Sequence, residues 1–234
     1  MADRVFEPSF IWKVILKVIP YIGVTLKVVL FSFVFASIIG ALLARAKIRG
    51  KVGKRFADFY TAIFRCVPSI VLIFLVYYGI PKFLKDVFGI DINDWAKEIF
   101  IIVTFSLMFA ANLCEIFRAA YYSVEPVQIE AGLSVGLTYS QTFFRIVFPQ
   151  ALRYALPNLA TVLTTLMKEG SLAYTIGLID VMGEAKQIIS LNYGSYSLET
   201  YLALAIIYWI LTKVIETAFG LWDKQLSKGR RSLA

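Results

Sequence analysis

Histidine does not occur in this chain of 234 residues, and cysteine occurs only twice. The first absence removes the commonest metal ligand and general base, so neither a Ser/His nor a Cys/His nucleophile pair can be assembled. Cys66 and Cys114 show no metal-ligand spacing and fall inside apolar runs, where they read as packing residues. Charge is also scarce. Asp, Glu, Lys and Arg make up 17% of residues, against about 25% in a soluble domain. The pattern G-x-x-x-x-G-K-[ST] is missing, and Gly50-Lys51-Val52-Gly53-Lys54-Arg55 has misspaced glycines and no preceding strand, so no P-loop is expected. Nor is there an internal repeat, a low-complexity tract, a domain linker or the pattern of a cleavable signal. A catalytic centre is therefore not expected, and neither is a metal site.

What the chain has instead is hydrophobicity, at 59% of residues. A helical span needs about 20 mostly apolar residues. Runs of that kind occur at 21–44, 59–80, 99–121, from within 150–158 to Met167, and 200–222, with none of the ten-residue alternation of a β-barrel. The fold class is thus all-α, a polytopic membrane protein of about five transmembrane helices. Arg45, Lys47, Arg49, Lys51, Lys54 and Arg55 outweigh Asp58 after the first run, and Lys224, Lys228, Arg230 and Arg231 follow the last. The positive-inside rule makes both clusters cytoplasmic. The loop with Lys82, Lys85, Lys97, Asp86, Asp91, Asp94 and Glu98 carries no basic excess and belongs outside. An odd number of crossings then places the N-terminus outside and the C-terminus in the cytoplasm. The net charge of +8 reflects topology, not nucleic acid. Residues 1–20 read as an interfacial helix, with Phe10, Ile11, Val14, Ile15 and Val18 on one stripe, Lys13 and Lys17 opposite, and Pro20 as a break. The alternative is that this helix simply begins the first span.

One stretch is polar at its start and wedged between apolar runs: Glu130-Ala131-Gly132, then Gly136, then Ile146 and Pro149. It has to lie outside the hydrocarbon. Small residues there let a partner backbone approach closely, and Pro149 ends one helix and lets the next leave at a new angle. Ionisable residues inside spans cost at least about 2.5–3.5 kcal/mol each and are functional candidates. Glu115 and Arg118, three apart, suit either a function or a stabilising pair on one helix face; Lys213 and Glu216 repeat the spacing. Lys168 and Glu169 are adjacent, so they point apart on a helix, and Gly170-Ser171 interrupts it. A discontinuity at membrane depth needs protein or a water-filled cavity around it, and the pair could meet both ends of a zwitterion. An inter-subunit salt bridge or a simple span exit is the competing reading. Arg65 precedes Pro68, which frees a carbonyl and bends the helix, though packing explains both equally well.

Nearly the whole chain resembles the permeases of polar amino-acid ABC importers, which are type I importers. Beyond the EAA-like loop Glu130–Pro149, Phe64-Arg65-Cys66-Val67-Pro68 resembles F-R-G-T-P, and Glu115-Ile116-Phe117-Arg118 matches E-I-F-R. Pro149-Gln150-Ala151-Leu152-Arg153 matches P-Q-A-L-R, Ala155-Leu156-Pro157 matches A-L-P, and Lys168-Glu169-Gly170-Ser171-Leu172 resembles K-D-T-S-L. The resemblance implies a single permease domain over 1–234 in the bacterial cytoplasmic membrane, with 126–149 as its cytoplasmic coupling loop. It implies an ABC ATPase dimer, a second permease copy or paralogue, an extracytoplasmic binding protein and surrounding membrane lipid as partners. ATP and Mg would be bound by the ATPase, with no cofactor in this chain and no ATPase activity of its own. Coupling then falls to Glu130, Ala131, Gly132, Gly136, Ile146 and Pro149, and substrate contact to Lys168, Glu169, Ser171, Pro68, Ser69 and Glu115. Cys66-Val67 in place of G-T, Glu169-Gly170 in place of D-T, and Gly132 in place of the second alanine depart from the pattern. The stretch Ser171–Gly177 with Asp180–Gly183 is similar to cystine-importing members, making cystine or a related sulfur amino acid the leading substrate. The rival classes are an ion-coupled secondary amino-acid transporter using Glu115 or Glu169, and a membrane scaffold without transport activity.

Overall fold

The computed structural model describes residues 5–227, and every regular element among them is helical. In chain order they are α1 (Pro8–Val18), α2 (Ile22–Arg49), α3 (Lys51–Cys66), α4 (Ser69–Phe74), α5 (Ile80–Phe88), α6 (Lys97–Tyr122), α7 (Pro126–Ser134), α8 (Tyr139–Thr142), α9 (Phe148–Gly170), α10 (Val181–Leu191) and α11 (Ser197–Ser227). Residues through Val34, Val67–Ser106 and Thr165–Val214 form one compact unit; Phe35–Cys66, Leu107–Thr164 and the residues from Ile215 form the other. Lys228, Arg230 and Arg231 of the second basic cluster lie outside the described residues.

Among the described residues three tracts are long and apolar enough to cross a membrane: α1 through α2 (Pro8–Arg49), α6 and α11. The second expected span, 59–80, is not one helix. α3 and the α4–α5 tract meet the criterion only together, across a break at Val67–Pro68. Pro68 has extended backbone (φ −59°, ψ 141°), and its ring drives Val67 away from helical geometry. A π-helical turn, Leu75–Gly79, follows before α5. α9, at 23 residues, is about 35 Å long but too polar to meet the criterion.

In the first unit, the stripe predicted for α1 is the face that packs. Val14 and Val18 are fully buried, and Phe10, Ile11 and Ile15 flank them against Val181, Ala185 and Ile188 of α10 and Ala203, Leu204 and Ile207 of α11. Pro20 does not end the helical path; it tightens it into one 3-10 turn, Ile19–Tyr21, because a proline near a helix start removes an N–H that has no partner there.

In the second unit, the expected basic loop of residues 45–55 is almost all helix. α2 runs on to Arg49 and only Gly50 separates it from α3. A Cβ on Gly53 would lie 2.8 Å from the Ala46 carbonyl, and one on Gly40 would lie 2.8 Å from the Leu113 Cβ. Both glycines let backbones approach where a side chain would hold them apart.

Candidate functional site

The stretch Glu130–Pro149 folds as a compact knuckle within the second unit. α7 carries Glu130 and Ala131 exposed and Gly132 buried. A Cβ at Gly132 would sit 2.8 Å from Thr142 Cγ2 and 2.9 Å from Ile146 Cδ1, so this glycine serves packing inside the loop. Gly136 adopts φ +85°, the left-handed turn that follows α7. Thr138 then starts α8 with a reciprocal capping box: its Oγ1 accepts from the Gln141 N–H at 3.3 Å, while Gln141 Oε1 accepts from the Thr138 N–H at 2.8 Å. Gln150 Nε2 donates to the Ile146 carbonyl at 2.9 Å and to Gln128, tying α7 to the start of α9. Pro149 is exposed in the first turn of α9. Around this braced loop Val135, Tyr139 and Phe144 are 77%, 74% and 66% exposed.

In the first unit, α9 ends at Gly170 and the chain continues as a 3-10 helix, Ser171–Ile176. Lys168 is exposed and Glu169 half-buried, and neither joins an ion pair among the described residues. The Ser171 hydroxyl donates to the Lys168 carbonyl at 2.7 Å. α4, which opens with Ser69 after Pro68, packs against the 3-10 segment. Along α9, the exposed residues between positions 154 and 168 are Tyr154, Pro157, Asn158, Thr161, Thr165 and Lys168. At about 100° per residue they fall on a single face, and none is Leu, Ile or Val.

Glu115 belongs to the second unit, and its carboxylate is already engaged. Arg118 Nε donates to it at 3.0 Å, and Lys47 Nζ pairs with it as well. Lys47, only 6% exposed, also contacts Asp58 at 2.9 Å and donates to Thr61 Oγ1 at 3.0 Å. The network joins α2, α3 and α6.

Residues 36–228 match the family model described as the binding-protein-dependent transport system inner membrane component. The chain belongs to this family. This permease is 34% identical over 229 residues to the L-cystine transport system permease protein TcyL of Bacillus subtilis (strain 168), covering 97% of this chain and 95% of that one. It is 36% identical over 226 residues to the probable amino-acid permease protein YxeN of the same organism, covering 94% and 98%. A solved amino acid ABC transporter with histidines superposes at a TM-score of 0.80 with 25% identity, covering 95% of the permease and all of that chain. The all-α expectation and the resemblance to ABC importer permeases both hold, and membership sets aside the ion-coupled and scaffold alternatives.

Sequence reasoning about the permease missed several residues. Lys47 counted only toward topology, and nothing in the chain near it signals Glu115. The Thr138-x-x-Gln141 box was legible as a capping pattern. Asn158, Thr161 and Thr165 recur at helical spacing inside a run otherwise read only for length. Asp180 is 2% exposed and caps α10; burial pushes its carboxyl up to about 6, against the opposing pull of the Gly183 N–H and the Thr25 hydroxyl.

Proposed function

We propose that the permease carries a polar amino acid, with cystine or a related sulfur amino acid as the leading substrate, and that its Glu130–Pro149 knuckle receives the force of a partner ATPase dimer. Family membership makes the chain the permease subunit of an ABC importer, and its relatives handle amino acids. The similarity to TcyL supports the sulfur amino acid. The observation that carries the coupling role is the knuckle itself, braced through Gly132, the capping box and Gln150, with Val135, Tyr139 and Phe144 left uncovered. A braced loop transmits displacement where a floppy one absorbs it.

The path for substrate follows the face of α9 that carries Asn158, Thr161 and Thr165 and lacks Leu, Ile and Val. Hydroxyl and amide groups in a spanning helix avoid lipid tails and face water or protein. At its end Lys168 and Glu169 offer a cation for the ligand carboxylate and an anion for its ammonium, with Ser171, Ser69, Pro68 and Glu115 as further substrate contacts. A second permease, as copy or paralogue, completes the pathway, and an extracytoplasmic binding protein delivers the ligand. Five crossings, counting α9 and the broken tract, put the N-terminus outside, α1 at the outer interface and the knuckle in the cytoplasm.

The test is transport by the permease–ATPase complex reconstituted in vesicles with its binding protein. Glu130→Ala and Gly136→Asp should uncouple ATP hydrolysis from uptake while insertion stays intact. Normal uptake by Gly136→Asp would count against the docking role.

A further inference from the structure

The six-residue 3-10 segment Ser171–Ile176 is unusual, since such runs rarely exceed about four residues and their hydrogen bonds are poorly aligned. A segment of this kind keeps one conformation only when its surroundings hold it. It follows directly on Lys168, Glu169 and Gly170, so any slack in it becomes slack in the two charges. The first unit supplies two fixings on the far side of the segment. At the end, Gly177 turns the chain with φ +78°, its carbonyl accepts from Lys97 Nζ of α6 at 3.0 Å, and a Cβ there would collide with that nitrogen at 2.7 Å.

The second fixing lies just beyond. Asp180 Oδ1 accepts from the Gly183 N–H at 2.9 Å, and Oδ2 accepts from the Thr25 hydroxyl of α2 at 3.3 Å. The same hydroxyl accepts from the Val181 N–H at 3.3 Å. Thr25 thus ties α2 to the chain just beyond the segment. The gap between Thr25, Val28, Gly170, Ala173, Leu178 and Asp180 is too narrow for a water molecule. With no water to substitute for a lost partner, the bond between Thr25 and Asp180 is costly to break.

We propose that Thr25, Asp180 and Lys97 are positioning residues that clamp the 3-10 segment and thereby hold Lys168 and Glu169 in the geometry that receives an amino-acid zwitterion. The inference rests on the reading of Lys168 and Glu169 as the ligand pair. A clamp of this kind sets affinity by preorganisation: the ligand meets charges already in place and does not have to order them.

The experiment measures binding of radiolabelled L-cystine and L-histidine to the detergent-solubilised permease–ATPase complex without its binding protein. In parallel, the mobility of a spin label at Thr175→Cys is recorded in a Cys66→Ser background. Thr25→Val and Lys97→Gln should each weaken binding about tenfold at unchanged capacity and make the label more mobile, and Thr25→Ser should restore both. A merely structural loss would instead lower capacity, leave the affinity of the surviving sites unchanged and defeat the proposal. Asp180→Asn, which keeps an acceptor oxygen but not the charge, should fall between wild type and Thr25→Val. Wild-type affinity and label mobility in Thr25→Val and Lys97→Gln would overturn the clamp. A wild-type complex that binds neither amino acid would overturn the reading of Lys168 and Glu169, and with it the functional half of the proposal, while label mobility would still decide the clamp.

Discussion

Single residues here do work that their type does not announce. Gly132 looked like a surface concession to a partner, and its position against Thr142 and Ile146 makes it an internal packing residue. Gly132→Ala should destabilise the knuckle by about 1–3 kcal/mol by overpacking, read as faster proteolysis of the 126–149 segment, whereas Ala131→Ser, on the exposed side of the same turn, should leave it unchanged. Lys47 counted as one positive charge among several; buried between Glu115 and Asp58, it is a structural cation. Lys47→Met should cost up to about 3 kcal/mol, the lower end for a broken buried pair because both carboxylates keep some solvent, seen as a lower melting temperature in detergent. Asp180 adds a pH dependence. Its folded value of about 6 lies above the ordinary 3.8, so the folded state binds this proton more tightly than the unfolded chain. That stabilisation is fully present below about pH 4 and is lost as pH rises through about 6, an effect of about 3 kcal/mol. The melting temperature of wild type relative to Asp180→Asn should therefore fall between about pH 4 and pH 7, and a flat difference would rule the effect out.

Helices were legible in the sequence to the extent that their signals are local. The run 99–121 became α6 and the stripe of α1 faced the core, because apolar periodicity is written into a few neighbouring residues. Breaks were less legible, as the prolines show. Pro68 ends α3, Pro20 only tightens a turn, and Pro157 sits inside an unbroken α9. All three lack the same N–H, yet only at Pro68 does the helical path stop. The polar face of α9 was hidden for another reason. A window that sums hydropathy discards direction, and direction is what separates a helix facing lipid from one facing a path. Thr161→Leu combined with Thr165→Leu should leave ATPase docking intact and cut substrate uptake at least about tenfold, measured in the same reconstituted vesicles. Unchanged uptake would mean this face lies elsewhere than on the path.

For the whole molecule, the proposed orientation makes a separable prediction. A cysteine placed at Ser140 in the knuckle should react with an impermeant maleimide only from the cytoplasmic side, and one at Asn93 only from outside. The opposite labelling pattern would remove the ATPase from the account. The sequence by itself determined that this protein is helical and membrane-bound, and its motifs pointed to a permease, because hydrophobic run length, the absence of histidine and motif spacing are properties of the chain order. Tertiary structure alone decided that Glu115 is engaged by Lys47 while Lys168 and Glu169 stand outside any ion pair among the described residues. It alone decided, too, that Gly132 packs inward and that Thr25 reaches Asp180. Those facts join residues up to 155 positions apart, and a contact across such a separation is fixed by which helix faces pack together, which no local stretch of sequence encodes.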